Sequence, residues 1–223
     1  MLEHKEFFGT WNQENKDFWI STMQDHQDAD RLISGEWFRE DGYGFKGCFF
    51  GCAMQTDESP LEKAISAMGL PPWFIYLAER IYEGLSHDVR VSFPVRLLKS
   101  IPVGVDLEPV RHRIAIARLS VLAEKNASVS ECINSVIELH KLSLDGEIPS
   151  SSCWTAAALS AAETAESAEP AEFAALTDGS AWSAEFAAES AGHHDMDAAW
   201  SAESMQLIKE LSLLEGDQSK CKR

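Results

Sequence analysis

The chain has 223 residues, 45% of them apolar, which is enough to bury a real core in one domain or two small ones. Nineteen Lys and Arg against 36 Asp and Glu leave a net charge of -17, which repels nucleic-acid polymers at long range and disfavours a conventional DNA or RNA binder. No uninterrupted apolar run approaches the ~20 residues of a membrane span, and five cysteines without a secretion signal fit a reducing cytoplasm better than a disulfide scaffold.

Thr10-Trp-Asn-Gln13 has the form of a capping box, and helical patterning continues to Ser34, so a first helix is predicted over 11–34. Trp19, Ile20, Met23 and Leu32 supply its apolar side, while Asp25, Asp28 and Asp30 face water. Gly35 reads as the helix stop. Gly42, Gly44, Gly47 and Gly51 follow, and a turn or short irregular loop is expected to lead into a helical turn over 46–54. Gly47 and Gly51 are four apart, as are Cys48 and Cys52, so a helix here presents a face with almost no side-chain bulk. Something must approach that face closely.

Ser59-Pro60-Leu61-Glu62 is a strong helix start and Gly69 a stop, which predicts a short helix over 60–68. Pro71-Pro72 opens the next helix, and Trp73, Phe74, Leu77, Ala78 and Ile81 leave so little polar surface before Gly84 that it should be the most buried. A short helix from Pro94 to about Lys99 comes next. Asp106 then caps a helix over 107–125, with Val110, Ile114, Ala117 and Val121 as its apolar stripe and Arg111, Arg118 and Lys125 as a basic one. Ser128-Val-Ser-Glu131 is a further capping box, opening a helix that ends before Gly146. Every element to this point reads as helical.

From 151 to 205 the composition shifts to Ala, Ser and Glu, with 18 alanines in 55 residues and a degenerate repeat around Trp154, Trp182 and Trp200. Alanine is the best helix former and tryptophans need a surface to cover, so short helices packed through alanine faces are expected, broken at Pro170, Asp178-Gly179 and Gly192. A last helix should run from near Asp195 to Leu214, with Met205, Leu207, Ile208, Leu211 and Leu214 inside, and 216–223 should fray. The predicted class is all-α: a helical core domain over 1–148 and an Ala-rich helical region over 149–223 packed on it.

Charge is unevenly spread. Residues 151–200 carry nine acids and no Lys or Arg, whereas 90–118 carry six Lys or Arg against two acids. That basic island, with Arg90, Arg96, Arg111, His112, Arg113 and Arg118, is a candidate anion site. Gly42-Tyr-Gly-Phe-Lys-Gly47 matches G-x-G-x-x-G, but it follows a helix rather than a strand and is no dinucleotide fingerprint. Gly42, Gly44 and Gly47 with Lys46 survive as a generic phosphate-binding turn, against the plainer reading that these glycines permit tight helix contacts.

Cys48 and Cys52 offer two legs of a metal site without a second pair at ligand spacing, and Cys48 near Lys46 at a helix start is a candidate for an acidic thiol. Cys132, Cys153 and His193-His194-Asp195 are scattered alternatives, with Asp195 most simply a helix cap. No Ser/His/Asp signature, P-loop or HExxH occurs, so neither a hydrolase nor a kinase has support and no cofactor is implied.

The run Asp30-Arg31 through Gly35, then Gly47-Cys48 and Gly51-Cys52, then Gly69-Leu-Pro through Ile81-Tyr-Glu-Gly84, then Phe93-Pro94 and Ile101-Pro-Val-Gly104-Val-Asp106-Leu, resembles a family of bacterial and bacteriophage proteins that often end in an Ala-, Ser- and Trp-rich repeat tail. The resemblance spans most of the chain and implies a phage or mobile-element setting, but it transfers no activity and no site.

The leading functional expectation is a non-enzymatic cytoplasmic protein that holds a small anionic, nucleotide-like ligand and so sequesters a host defence signal. Two others stand beside it: an acidic inhibitor that offers Glu163, Glu166, Glu185 and Glu189 to a basic host protein, and a thiol or metal site at Cys48 and Cys52. Small-residue helix faces make a homodimer plausible.

Overall fold

The computed structural model describes residues 10–42, 44–125, 130–164 and 196–221. Ten helices and one two-stranded hairpin are found among them, in the order α1 (Gln13–Asp28), β1 (Phe38–Asp41), β2 (Gly44–Gly47), α2 (Phe49–Met54), α3 (Pro60–Met68), α4 (Pro72–Gly84), α5 (His87–Arg90), α6 (Phe93–Ser100), α7 (Glu108–Lys125), α8 (Ser130–Leu144), α9 (Ser151–Thr164) and α10 (Met196–Cys221). The architecture is helical as expected, with the hairpin as the departure. No described helix is long and apolar enough to cross a membrane. The chain divides into two compact units, one of residues 1–105 with 211–223 and one of 106–210.

In the first unit, α1 is capped by Asn12, whose side chain accepts from the Asn15 N–H, rather than by Thr10. It ends at Asp28, six residues before the expected Ser34, because Asp30 turns the chain with φ 52 and the next residues pair with β2 instead. Ile33 N donates to Gly47 O at 2.9 Å and Gly47 N to Arg31 O at 3.0 Å. Leu32 is buried as expected, but in this bridge and not on a helix. Two polar side chains of α1 close other helix ends. Asn15 Nδ2 donates to the Ala67 and Met68 carbonyls at 3.2 Å each, and Lys16 Nζ donates to Ile101 O at 2.7 Å. Carbonyls at a helix C-terminus lack intrahelical partners, so these bonds satisfy groups that burial would otherwise penalise.

The expected irregular loop is an antiparallel hairpin in register Phe38 to Gly47, Arg39 to Lys46, Glu40 to Phe45 and Asp41 to Gly44. Arg39 and Lys46, Phe38 and Phe45 alternate across it, and the Phe38 and Phe45 rings sit 5.3 Å apart. The diagonal aromatic contact stabilises a ladder that helical periodicity does not reveal, while Arg39 and Lys46, like charges directly opposite, turn to Glu36 and Asp30.

The α3 boundaries match the local signals, from Pro60 at its start to Gly69 with φ 68 at its end, although Ser59 makes no side-chain cap bond. Helix α4 buries one long face, although the shorter α2, buried at every position from Phe49 to Met54, is more completely enclosed than the helix expected to be the most buried. Phe74, Ile75, Leu77, Ala78, Ile81 and Tyr82 are each at most 1% exposed, and burial stabilises by roughly 1.5–3 kcal/mol per large apolar side chain. Glu79 is buried with them, at 3% exposure.

In the second unit Asp106 caps α7 as predicted, accepting from Glu108 N at 3.0 Å. The stripe of α7 is rotated from the expected one. Val110 and Ile114 are buried, but Val121 is 47% exposed and Arg118, expected on the basic stripe, is 4% exposed. Leu119, Ile133, Val136, Ile137 and Ala157 form a core shared by α7, α8 and α9, against which Trp154 packs. Trp200 is buried on α10, whose Met205, expected inside, is 58% exposed. Helix α10 continues to Cys221, past the expected end at Leu214. The expected cap at Ser128, the breaks at Pro170, Asp178-Gly179 and Gly192, and Trp182 lie outside the described residues.

Candidate metal centre

Three residues of the first unit converge on one cluster: Cys48 just before α2, and Glu79 and Glu83 one turn apart on α4. One ligand atom from each lies within 4.8 Å of the others. Their placement follows from local geometry. Cys48 serves as the N-cap of α2, its sulfur accepting from Gly51 N at 3.4 Å. On α4 the buried arc ends at Ile75, and at 3.6 residues per turn Glu79 falls about 40° beyond it and Glu83 about 40° further. Glu79 is accordingly buried and Glu83 half-buried.

Each prospective ligand is oriented by one backbone N–H. Gly51 N points at the Cys48 sulfur, Phe50 N donates to Glu79 Oε2 at 3.4 Å, and Gly35 N donates to Glu83 Oε2 at 2.7 Å. Outer donors of this kind hold metal ligands in place. Among the described residues Glu79 Oε1 has no hydrogen-bond partner, although it is buried. An unsatisfied buried carboxylate oxygen is costly, and a cation or a proton removes the cost.

The electrostatics carry the same sign at all three groups. Burial pushes the Glu79 carboxyl up to about 8, and the Glu83 charge adds to this, while the Cys48 thiol and Phe50 N–H oppose it. Burial raises the Glu83 carboxyl as well, against the Gly35 N–H and the Arg90 guanidinium. The Cys48 thiol is driven far above its ordinary range by burial, then by the charge of Glu79. The acidic thiol expected from the proximity of Lys46 is therefore not formed. Lys46 is instead paired with Asp30 at 3.2 Å, and the surroundings of the sulfur are apolar and acidic.

Cys52, expected as the second leg beside Cys48, is turned to other partners. Its thiol donates to Gly47 O at 3.3 Å and Arg31 O at 3.4 Å, and burial pushes it up to about 12. Cys132 packs at the edge of the second unit's core and Cys153 is exposed at the start of α9. His193, His194 and Asp195 lie outside the described residues.

The expected anion-site residues fall in both units. Gly42 lies in the hairpin turn and Gly44 begins β2, the Gly47 N–H is spent on Arg31 O, and the α2 N-terminus that follows is capped by the Cys48 sulfur. Arg90 donates to Leu85 O at 2.9 Å and also to Ser34 Oγ, and Arg96 is exposed on α6. In the second unit Arg111 pairs with Glu108 at 3.2 Å, Arg113 with Glu210 at 3.8 Å, and Arg118 with Glu203. His112 Nδ1 meets His140 Nδ1 at 2.9 Å.

Compared with family models, with curated proteins and with solved structures, the chain matches none.

Neither Glu79 nor Glu83 was singled out from the sequence. A signal was present: position 79 lies at the margin of a helix whose other faces are almost wholly apolar, where a carboxylate needs a partner.

Proposed function

We propose that the protein binds a borderline-soft divalent cation of the zinc class through Cys48, Glu79 and Glu83. The observation that carries this reading is Glu79, buried at 3% exposure, with an oxygen that no donor satisfies, beside a cysteine sulfur and a second carboxylate within 4.8 Å. Thiolate and carboxylate together select zinc-like ions over magnesium or calcium, which take oxygen ligands alone. Bonds of about 2.0–2.3 Å place tetrahedral ligand atoms roughly 3.3–3.7 Å apart, so a closure of roughly 1 Å brings the cluster to coordination distance.

Three protein ligands leave a fourth position for water or an exchangeable group, on the side of half-buried Glu83. The chain's own residues supply the ligand set, the outer donors and a dry wall of Phe49, Phe50 and Tyr82. Binding releases the protons that Cys48 and Glu79 hold in the absence of the ion.

The anion-binding reading has less support. Lys46, Arg111, Arg113 and Arg118 each have a carboxylate partner that a phosphate would have to displace. The inhibitor reading rests largely on Glu166, Glu185 and Glu189, which lie outside the described residues.

Titration of the chelator-treated chain with Co²⁺ tests the proposal. A thiolate-to-cobalt charge-transfer band saturating at one ion per chain, lost in Cys48→Ser and in Glu79→Gln, is the expected result. No band and no binding heat with either Co²⁺ or Zn²⁺ would refute it.

A further inference from the structure

The cluster is bonded to a short strap, residues 35–37, that precedes β1. Glu83 Oε2 accepts from Gly35 N at 2.7 Å, while Cys48 N donates to Glu36 O at 2.9 Å and Trp37 O at 3.2 Å. Two of the three prospective ligand residues thus hold the same three-residue segment.

The two ends of the strap are held differently. At Trp37 it is clamped: a Cβ on Gly51 would meet Trp37 O at 1.6 Å, and one on Gly47 would meet it at 2.3 Å. At Gly35 it is not. Gly35 has φ +78, a conformation open to glycine, and nothing lies within 4 Å of the place a Cβ would occupy. Its N–H is tied to Glu83, which is the ligand nearest solvent, whereas Cys48 is 0% and Glu79 3% exposed. An ion reaching the cluster from the Glu83 side therefore passes the hinge of the strap.

We propose that the strap 35–37 is a cation-responsive latch, in which an ion held by Cys48, Glu79 and Glu83 immobilises the Glu83 carboxylate and so fixes Gly35, and loss of the ion frees the Gly35 N–H and opens the backbone there to water. This inference rests on the cation reading above. A coordinated carboxylate keeps one geometry, so its second interaction with the Gly35 N–H becomes a permanent outer bond. Without the ion, a half-buried carboxylate next to another acid exchanges that bond for water, and the strap opens by local fluctuation. The ion's differential contact with the closed state is what shifts the population.

Amide hydrogen exchange of the full chain with and without Co²⁺ tests the latch. Exchange at Gly35 is expected to slow about tenfold or more when the thiolate–cobalt band is saturated, with little change at amides of α3. Gly35→Ala keeps the N–H and has space for its methyl but strains the left-handed backbone, so chelator-driven release of Co²⁺ should be several-fold faster at an unchanged band. If the band forms while Gly35 exchanges at the same rate with and without Co²⁺, the latch is wrong and the cation site stands. If no band forms, the cation site itself is wrong.

Discussion

Glu79 is a buried acid, and its protonation makes the stability of the metal-free chain depend on pH with a definite sign. Its folded value of about 8 lies above the 4.5 of an ordinary glutamate, so between these values the folded chain holds a proton that the unfolded chain has released. The favourable contribution is complete below pH 4.5 and is lost as pH rises toward 8. Glu79→Gln mimics the protonated form, so the metal-free variant should become progressively more stable than the metal-free parent across that window, by an amount on the order of a few kcal/mol, read from urea melts. The same substitution should abolish ion binding. A variant that is destabilised at pH 8 would show that Glu79 is not a proton-holding buried acid.

The helix–hairpin junction depends on close backbone approach, and its glycines are not equivalent. Gly51 on α2 has Trp37 O at 1.6 Å from an added Cβ, a main-chain atom that cannot swing aside. Gly51→Ala should therefore destabilise by at least about 2 kcal/mol, as overpacking at a fixed contact does. Gly42, at the hairpin turn, has nothing within 4 Å and no positive φ, so Gly42→Ala should stay within about 0.5 kcal/mol of the parent. Equal effects in chemical denaturation would contradict the packing described. The sequence indicates that something must approach the Gly47 and Gly51 face, but the approaching group, the carbonyl of Trp37, depends on a ladder set by Phe38 to Gly47 pairing, which helical periodicity does not encode.

The two compact units divide the proposed ion site from the basic residues of α7, since Cys48, Glu79 and Glu83 all belong to the first unit. Ligation stabilises only the part of the chain that holds the ligands. Zn²⁺ should accordingly slow hydrogen exchange of α2 and α4 while leaving α8 and its Ile133, Val136 and Ile137 core at the metal-free rate. Equal protection of α8 would mean that the units unfold as one cooperative body, against the division seen in the fold. The second unit keeps Arg118 paired with Glu203 at 4% exposure, a role for the basic stripe that its seven-residue spacing on a helix does not distinguish from a solvent face.

By itself the sequence determined the elements whose causes are local. Pro60 and Gly69 bound α3, Asp106 caps α7, and the apolar spacing of Phe74, Leu77, Ala78 and Ile81 gives α4 its buried face, because capping and periodicity act over a few residues. Only the tertiary structure decided that the glycine stretch is a hairpin, that Arg118 is buried, and that Glu79 and Glu83 face Cys48. Those outcomes depend on partners far along the chain, and the charge state of a carboxylate is set by what surrounds it after folding.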